Sequence, residues 1–124
     1  MKKLSTILVL LLIAGITSGQ TFLRATRVDF GVKKSTGIAW EKARKSAVLL
    51  KMEPNKLTIY SKADQVYRKI GLEKKTDKLV KWLCADYKGR SCYVMLTAAK
   101  DNPGVFLVAI EYNDVIWFYT THTE

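Results

Sequence analysis

The sequence predicts an all-β domain, an antiparallel meander of about eight strands that forms a small barrel or a sandwich. Two observations lead to this prediction. Short runs of alternating apolar and polar residues, rich in β-branched and aromatic side chains, recur from Thr26 onward. Hairpin-length turns containing Gly, Asn, Asp or Pro separate most of these runs, so we expect neighbouring strands to pair with each other.

An N-terminal segment, Met1 to Gly19, has the three parts of a cleavable signal peptide. Lys2 and Lys3 supply the positive start, Ile7–Ala14 contains no polar residue, and small residues precede Gln20. The apolar run is shorter than the roughly 18 to 20 residues that span a bilayer, and no later apolar run reaches that length. We therefore expect cleavage after Gly19 and no transmembrane segment in the mature chain.

The remaining residues, 20–124, are enough for one domain with a single core and too few for two. The chain has 21 basic and 11 acidic residues, and losing Lys2 and Lys3 leaves 19 basic residues and a net charge of +8. A basic surface attracts anionic lipids, polymers and acidic proteins. The alternative is a solvated lysine-rich face that only maintains solubility, and charge by itself favours that alternative.

The first half of the domain contains four predicted strands and one segment of different composition. Thr26–Val32 alternates cleanly, as a half-buried strand does. Ile38–Lys45 has helix-forming composition after the possible caps Ser35 and Thr36, which predicts a short helix or an irregular crossover. The next three strands are expected at 46–52, 57–61 and 65–70, and the spacing of the last two is typical of a hairpin with a short loop.

The second half contains two predicted hairpins after a charged linker, Gly71–Lys78. In the last hairpin, a two-residue loop at Asn113-Asp114 places Ile110 opposite Trp117 and gives a row of aromatic and β-branched pairs. Both faces of this hairpin are apolar, which is typical of a central strand pair in a sandwich or of one lining a barrel. The four strands are expected at 79–86, 91–98, 105–112 and 115–121.

The two cysteines, Cys84 and Cys92, flank the turn of the first of these hairpins. A loop of residues 87–89 places them directly opposite each other, whereas a two-residue loop offsets them by one. An even pair in a secreted chain favours a disulfide. The alternative is two buried free thiols that pack beside Trp82 and Val94.

Catalytic and metal-binding residue sets are missing from the sequence. His122 is the single histidine, and no serine-hydrolase or metalloprotease motif is present. Two cysteines with one distant histidine make a poor zinc site. Three acids lie on neighbouring hairpins and could supply a carboxylate pair, but we expect them at loops and strand ends in water or paired with basic neighbours. These acids are Asp86, Glu111 and Asp114. We therefore predict no enzyme, no metal and no cofactor.

One stretch alternates aromatic and basic residues in the way that open β-surfaces do when they bind single-stranded nucleic acid. Its members are Tyr60, Lys62, Tyr67, Arg68 and Lys69. Secretion argues against nucleic acid as the partner. The five residues are therefore candidates for binding an anionic surface, polymer or protein.

The last 45 residues or so resemble small secreted all-β proteins of gut-type Gram-negative bacteria, a group without a characterised function. The resemblance rests on Trp82–Asp86, Gly89, Cys92–Val94, Leu107–Tyr112 and Trp117–Tyr119. It implies the all-β fold and no catalytic residue. The leader and its junction at Gln20 similarly resemble bacterial signal peptides, which implies the periplasm or the cell exterior.

The function predicted from the sequence is a secreted, noncatalytic binding or structural module of the bacterial envelope that engages an anionic partner. Two alternatives stay open. The first is a barrel whose many aromatic side chains line a site for a small apolar ligand. The second is an inhibitor of an acidic hydrolase, because a basic protein is attracted to an acidic enzyme.

Overall fold

The computed structural model describes residues 20–99 and 102–123, so the predicted leader lies outside the described residues. Within them the regular structure consists of ten β-strands without a helix. The strands are β1 (Thr21–Lys34), β2 (Gly37–Trp40), β3 (Arg44–Lys45), β4 (Leu49–Met52), β5 (Lys56–Tyr60), β6 (Asp64–Lys75), β7 (Leu79–Ala85), β8 (Ser91–Ala98), β9 (Val105–Glu111) and β10 (Val115–Thr123).

Eight of these strands close into an antiparallel barrel. The order β1-β4-β5-β6-β7-β8-β9-β10 returns to β1, because β10 pairs with β1 from Leu23 opposite Thr123 to Val32 opposite Val115. The predicted all-β fold is confirmed, and the chain forms the barrel rather than the sandwich. The end of the barrel where β1 finishes is termed the mouth, and the opposite end, with the β6–β7 turn, is termed the base.

Of the two alternatives for 38–45, the short helix is wrong, because β2 and β3 occupy most of this segment and pair with β1. The 14-residue β1 is longer than its barrel neighbour β4, which pairs only with Thr21–Arg24. The rest of that edge carries backbone groups that need partners. Residues 37–46 provide them, for example through the Glu41 N–H, which donates to the Phe30 carbonyl at 2.8 Å. This demand outweighs a weak helix propensity.

The three predicted hairpins are confirmed, including the pairs Ile110–Trp117 and Val108–Tyr119. The turn before β8 contains Gly89 at a φ of 80°, which favours glycine. The charged linker expected at 71–78 is instead largely strand, since β6 continues to Lys75. Its charged side chains are compatible with a strand because this part of β6 is exposed.

Apolar side chains fill most of the barrel interior, as expected for a barrel of eight strands. Sixteen buried residues form one cluster, and their exposed fractions range from 0 to 8%. Phe106, Leu50 and Leu96 are among its largest members. This cluster occupies the interior along the strands, and the pocket described below lies beyond it, at one end of the barrel.

Candidate binding site

A pocket of about 130 Å³, open to solvent, lies at the mouth. Its apolar wall consists of Val28, Phe30 and Trp117. Phe30 pairs with Trp117 across β1 and β10, and Trp117 pairs with the fully buried Ile110. Paired residues share a face, so these rings belong to the interior face of the sheet at its open end.

The polar wall of the pocket comes from the β2–β3 connection. β3 pairs with β1 at Val28 and Arg44, so Arg44 lies on the same face as Val28. Glu41 and Lys42, just before β3, complete the lining. Within residues 20–99 and 102–123, β2 and β3 pair only with β1, so no strand closes the pocket on their outer side.

The pocket combines its aromatic wall with two basic side chains and one acidic side chain, Glu41, so the basic groups are in excess. The ring centroids of Phe30 and Trp117 are 4.4 Å apart, and Trp117 is 38% exposed. Neither Lys42 nor Arg44 has an ion pair in the part of the chain that the structure describes. Aromatic faces favour apolar rings and a guanidinium binds carboxylates or sulfonates with two hydrogen bonds, so the pocket fits an aromatic anion.

The five binding candidates from the sequence do not share one face. Tyr67 and Lys69 pair with the buried Leu57 and Cys84, so both point into the barrel. The remaining three are exposed, with Tyr60 at the end of β5, Lys62 in the β5–β6 turn and Arg68 on the outer face. Strand alternation therefore distributes this stretch between the interior and the surface.

Lys69 is a lysine of the barrel interior near the base. Its Nζ donates to the Glu53 carbonyl at 2.6 Å and lies 3.8 Å from the centroid of the Trp82 ring. Burial lowers the pKa of its ammonium group to about 8. At neutral pH the folded protein therefore keeps a charged ammonium group in a site that disfavours the charge.

We expect stability to depend on pH through Lys69. Its pKa is lower in the folded than in the unfolded chain, so the unfolded chain binds more protons above pH 8, and this group adds stability as pH rises from 8 to about 10. Discounted for the partly exposed ammonium, the gain is about 1 kcal/mol. Urea unfolding of wild type and Lys69→Met between pH 7 and about 9.5 measures this gain. The free energy of unfolding of wild type, relative to that of the variant, should increase as pH rises.

The matched control for this measurement is Lys62→Met, which removes the same charge from an exposed turn. Comparing wild type with each variant at the same pH also cancels the thiol of Cys92, whose raised pKa acts in the opposite direction. The Lys69 charge lowers the pKa of the neighbouring Cys84, so the measured difference belongs to this pair of groups. A difference between wild type and Lys69→Met that does not change with pH would contradict the prediction.

The carboxylate of Asp86 is fully buried and accepts four hydrogen bonds at the β7–β8 turn. The donors are the backbone amides of Lys88 (2.9 Å) and Arg90 (2.8 Å), the Arg90 Nε (3.2 Å) and the Tyr112 hydroxyl (2.7 Å). Burial opposes ionisation, but the Tyr112 hydroxyl, the two amides and the Arg90 charge outweigh it and hold the pKa of Asp86 below its usual value. Asp86 therefore ties the turn to the end of β9.

The other two acids considered from the sequence are placed differently. Glu111 lies 2.9 Å from the Lys33 Nζ and 3.9 Å from the Lys81 Nζ on the outer face. Asp114 is exposed in the β9–β10 turn, where its carbonyl accepts a hydrogen bond from the Lys33 N–H. Both Asp86 and Glu111 therefore have basic partners.

Cys84 and Cys92 lie directly opposite each other, as the three-residue loop requires. The predicted disulfide is nevertheless absent, since both thiols are free and buried. The Asp86 N–H donates to the Arg90 carbonyl, so the cysteine pair two residues further along is also hydrogen-bonded, and such pairs hold their side chains farther apart. Burial raises the thiol pKa values to about 11 and 12, which disfavours the thiolate needed for exchange.

The sequence prediction did not include the pocket residues as a site. Val28 and Phe30 were recognisable as one face of the first strand, and Trp117 as a member of the last hairpin. Nothing local brings Phe30 and Trp117 together, since they lie at opposite ends of the domain. Arg44 was not recognised, because its segment was expected to be a short helix or an irregular crossover and its pairing with β1 was not foreseen.

Fold and site together define a class, a small closed antiparallel β-barrel whose mouth pocket is lined by aromatic rings, two basic side chains and one acidic side chain. No family model, no curated protein and no solved structure matches this chain. Among the described residues there is no helix of the length and apolarity needed to cross a membrane, and no cluster of three or more potential metal ligands.

Proposed function

We propose that this protein is a noncatalytic binding module whose mouth pocket takes a small ligand that combines a planar apolar group with an anionic group. The supporting observation is the placement of the partly exposed rings of Phe30 and Trp117 beside Lys42 and Arg44. We further propose that the ligand is the predicted anionic partner and that the protein is secreted to the periplasm or the cell exterior.

Each half of the pocket contributes a different part of the affinity. Covering the exposed ring surface of Phe30 and Trp117 contributes roughly 25 cal/mol per Å² of apolar area. The cationic groups attract an anionic ligand. They gain no such attraction from the uncharged analogue, so the pocket binds the anion more tightly. We expect binding that weakens with salt but does not vanish, since the aromatic contribution does not depend on ionic strength.

The test uses two fluorescent probes that differ in one group. Anilinonaphthalene sulfonate carries an anion on a planar aromatic system, and N-phenylnaphthylamine lacks it. We expect the wild-type protein to bind the sulfonate more tightly, and Lys42→Gln with Arg44→Gln to weaken it about tenfold while leaving the uncharged probe unchanged. Fluorescence titration at low and high salt measures both dissociation constants.

The matched control is Lys74→Gln with Lys75→Gln, which removes the same charge at the base. If both double variants weaken sulfonate binding equally, overall charge accounts for it and the pocket assignment fails. If the uncharged probe binds as tightly as the sulfonate in every variant, the site takes an apolar ligand and the anionic part of the proposal is wrong.

A further inference from the structure

A β-ribbon projects from the base of the barrel. It consists of the end of β6, the turn and the start of β7, residues 69–80, and is termed the base ribbon. The Lys69 N–H donates to the Asn55 carbonyl at 2.8 Å, and beyond Lys69 the strand β6 pairs with β7 alone. All nine residues from Ile70 to Lys78 are exposed, whereas Val80 is 2% exposed. The ribbon therefore extends beyond the packed core.

The tip of the base ribbon is a hydrogen-bonded turn. The Thr76 N–H donates to the Leu79 carbonyl at 2.8 Å. In return, the Thr76 Oγ1 accepts from the backbone amides of Lys78 at 3.2 Å and Leu79 at 3.0 Å. These bonds order the tip, so little conformational entropy is lost when it docks onto a surface.

The side chains of the ribbon combine exposed aliphatic groups with positive charge. Ile70 and Leu72 are 61% and 59% exposed, more than any other large hydrophobic residue that the structure describes. Lys74, Lys75 and Lys78 follow within a few residues, and none has an ion pair among the described residues. Two acids, Glu73 and Asp77, lie among them, so three lysines against two acids leave the nine exposed residues with a net charge of +1. Exposed aliphatic side chains beside an excess of unpaired lysines match an apolar layer below anionic headgroups.

The backbone edge of the ribbon is poorly suited to accept another strand. Two register shifts interrupt its pairing with β7, leaving Ile70 and Glu73 as extra residues. Bulges and lysines on an edge hinder edge-to-edge pairing, which disfavours a second copy of this chain or an extended peptide as the occupant. The ribbon is therefore suited to contact a partner surface through its side chains rather than through its backbone edge.

We propose that the base ribbon docks onto an anionic lipid surface. Ile70 and Leu72 enter the boundary between headgroups and acyl chains. The register places Lys74 and Lys75 on opposite faces of the ribbon, and their long side chains reach the lipid phosphates on either side of it. The ribbon lies at the opposite end of the barrel from the pocket, so a docked protein keeps its mouth open to solvent. This surface is separate from the pocket and does not depend on its ligand.

Vesicle co-sedimentation tests the proposal on the protein without its leader. We expect binding to phosphatidylcholine vesicles containing about one quarter phosphatidylglycerol, and loss of binding on pure phosphatidylcholine or at about 0.5 M salt. Lys74→Gln with Lys75→Gln is expected to weaken binding roughly tenfold. Ile70→Ser with Leu72→Ser should weaken it by a similar factor through the aliphatic contact, with an unchanged melting temperature because both residues are exposed.

The matched control is Lys42→Gln with Arg44→Gln at the mouth, which should bind vesicles as the wild type does. No binding to the anionic vesicles, or equal weakening by the mouth and ribbon variants, would overturn the proposal. Light scattering tests for a dimer. If wild type is dimeric and the Ile70→Ser with Leu72→Ser variant is monomeric, a second copy of the chain is the occupant of the ribbon and the lipid proposal is wrong. The mouth variant Lys42→Gln with Arg44→Gln and the ribbon variant Lys74→Gln with Lys75→Gln serve as each other's controls. Failure of the ribbon proposal is therefore distinguishable from failure of the pocket proposal.

Discussion

Asp86→Ala is expected to lower the free energy of unfolding by about 3 kcal/mol, because it removes the acceptor for four hydrogen bonds. The variant leaves the Tyr112 hydroxyl and the Arg90 amide without their partner in a site that excludes water from the carboxylate. Unpaired polar groups in such a site are costly. Urea unfolding at neutral pH measures the change, with Asp114→Ala in an exposed turn as the matched control.

The same residue predicts an acid-dependent loss of stability. The pKa of Asp86 is held below its unfolded value of about 3.9, so its contribution is present above that value and is lost as pH falls through the folded pKa. Wild type should lose more stability than Asp86→Asn between about pH 5 and pH 2. Parallel losses in the two proteins would show that the hydrogen bonds of Asp86 do not favour its ionised form.

Phe106→Ala is expected to cost about 3 to 5 kcal/mol, the largest effect anticipated for a single substitution here. Phe106 is fully buried in the barrel interior, and its carbonyl accepts a hydrogen bond from the buried Thr121 hydroxyl at 2.8 Å. Truncation removes the ring and leaves a cavity that the closed sheet fills only partly. Urea unfolding measures the loss, and near-native far-UV circular dichroism should persist at low temperature.

A matched control for Phe106 is Phe118→Ala, the same truncation on the outer face of the barrel. Phe118 is half-buried, and its ring meets the Trp40 ring edge-on with centroids 6.4 Å apart. We expect a loss of about 1 kcal/mol from this contact and the partial burial. Equal losses for the two variants would contradict the assignment of interior and exterior faces.

The strands and hairpins were predictable because their causes are local. Alternation with a period of two and turn residues such as Gly89 act over a few positions, so they specify strands and register together. The opposition of Cys84 and Cys92 followed from the length of one loop. Loop length did not reveal that both thiols stay free, because their burial and the type of backbone pair they occupy are properties of the folded barrel.

Two segments were assigned incorrectly because their conformation depends on backbone pairing with strands that are distant in sequence or at the end of the barrel. The helix predicted within 38–45 became β2 and β3 because β1 offered unpaired backbone groups. Similarly, the charged stretch after Gly71 continued as β6 because β7 pairs with it. Local composition favoured other conformations in both cases, and its small free-energy preferences were outweighed by backbone pairing.

By itself, the sequence determined an all-β chain of hairpins with an alternating apolar face. Only the tertiary structure decided that β10 returns to β1, a pairing between Leu23 and Thr123 at opposite ends of the domain. That closure distinguishes a barrel from a sandwich, places Phe30 beside Trp117 and turns Tyr67 inward while leaving Arg68 outside. The physical reason is that local propensities extend over a few residues, whereas closure depends on burying one continuous interior shared by all eight strands.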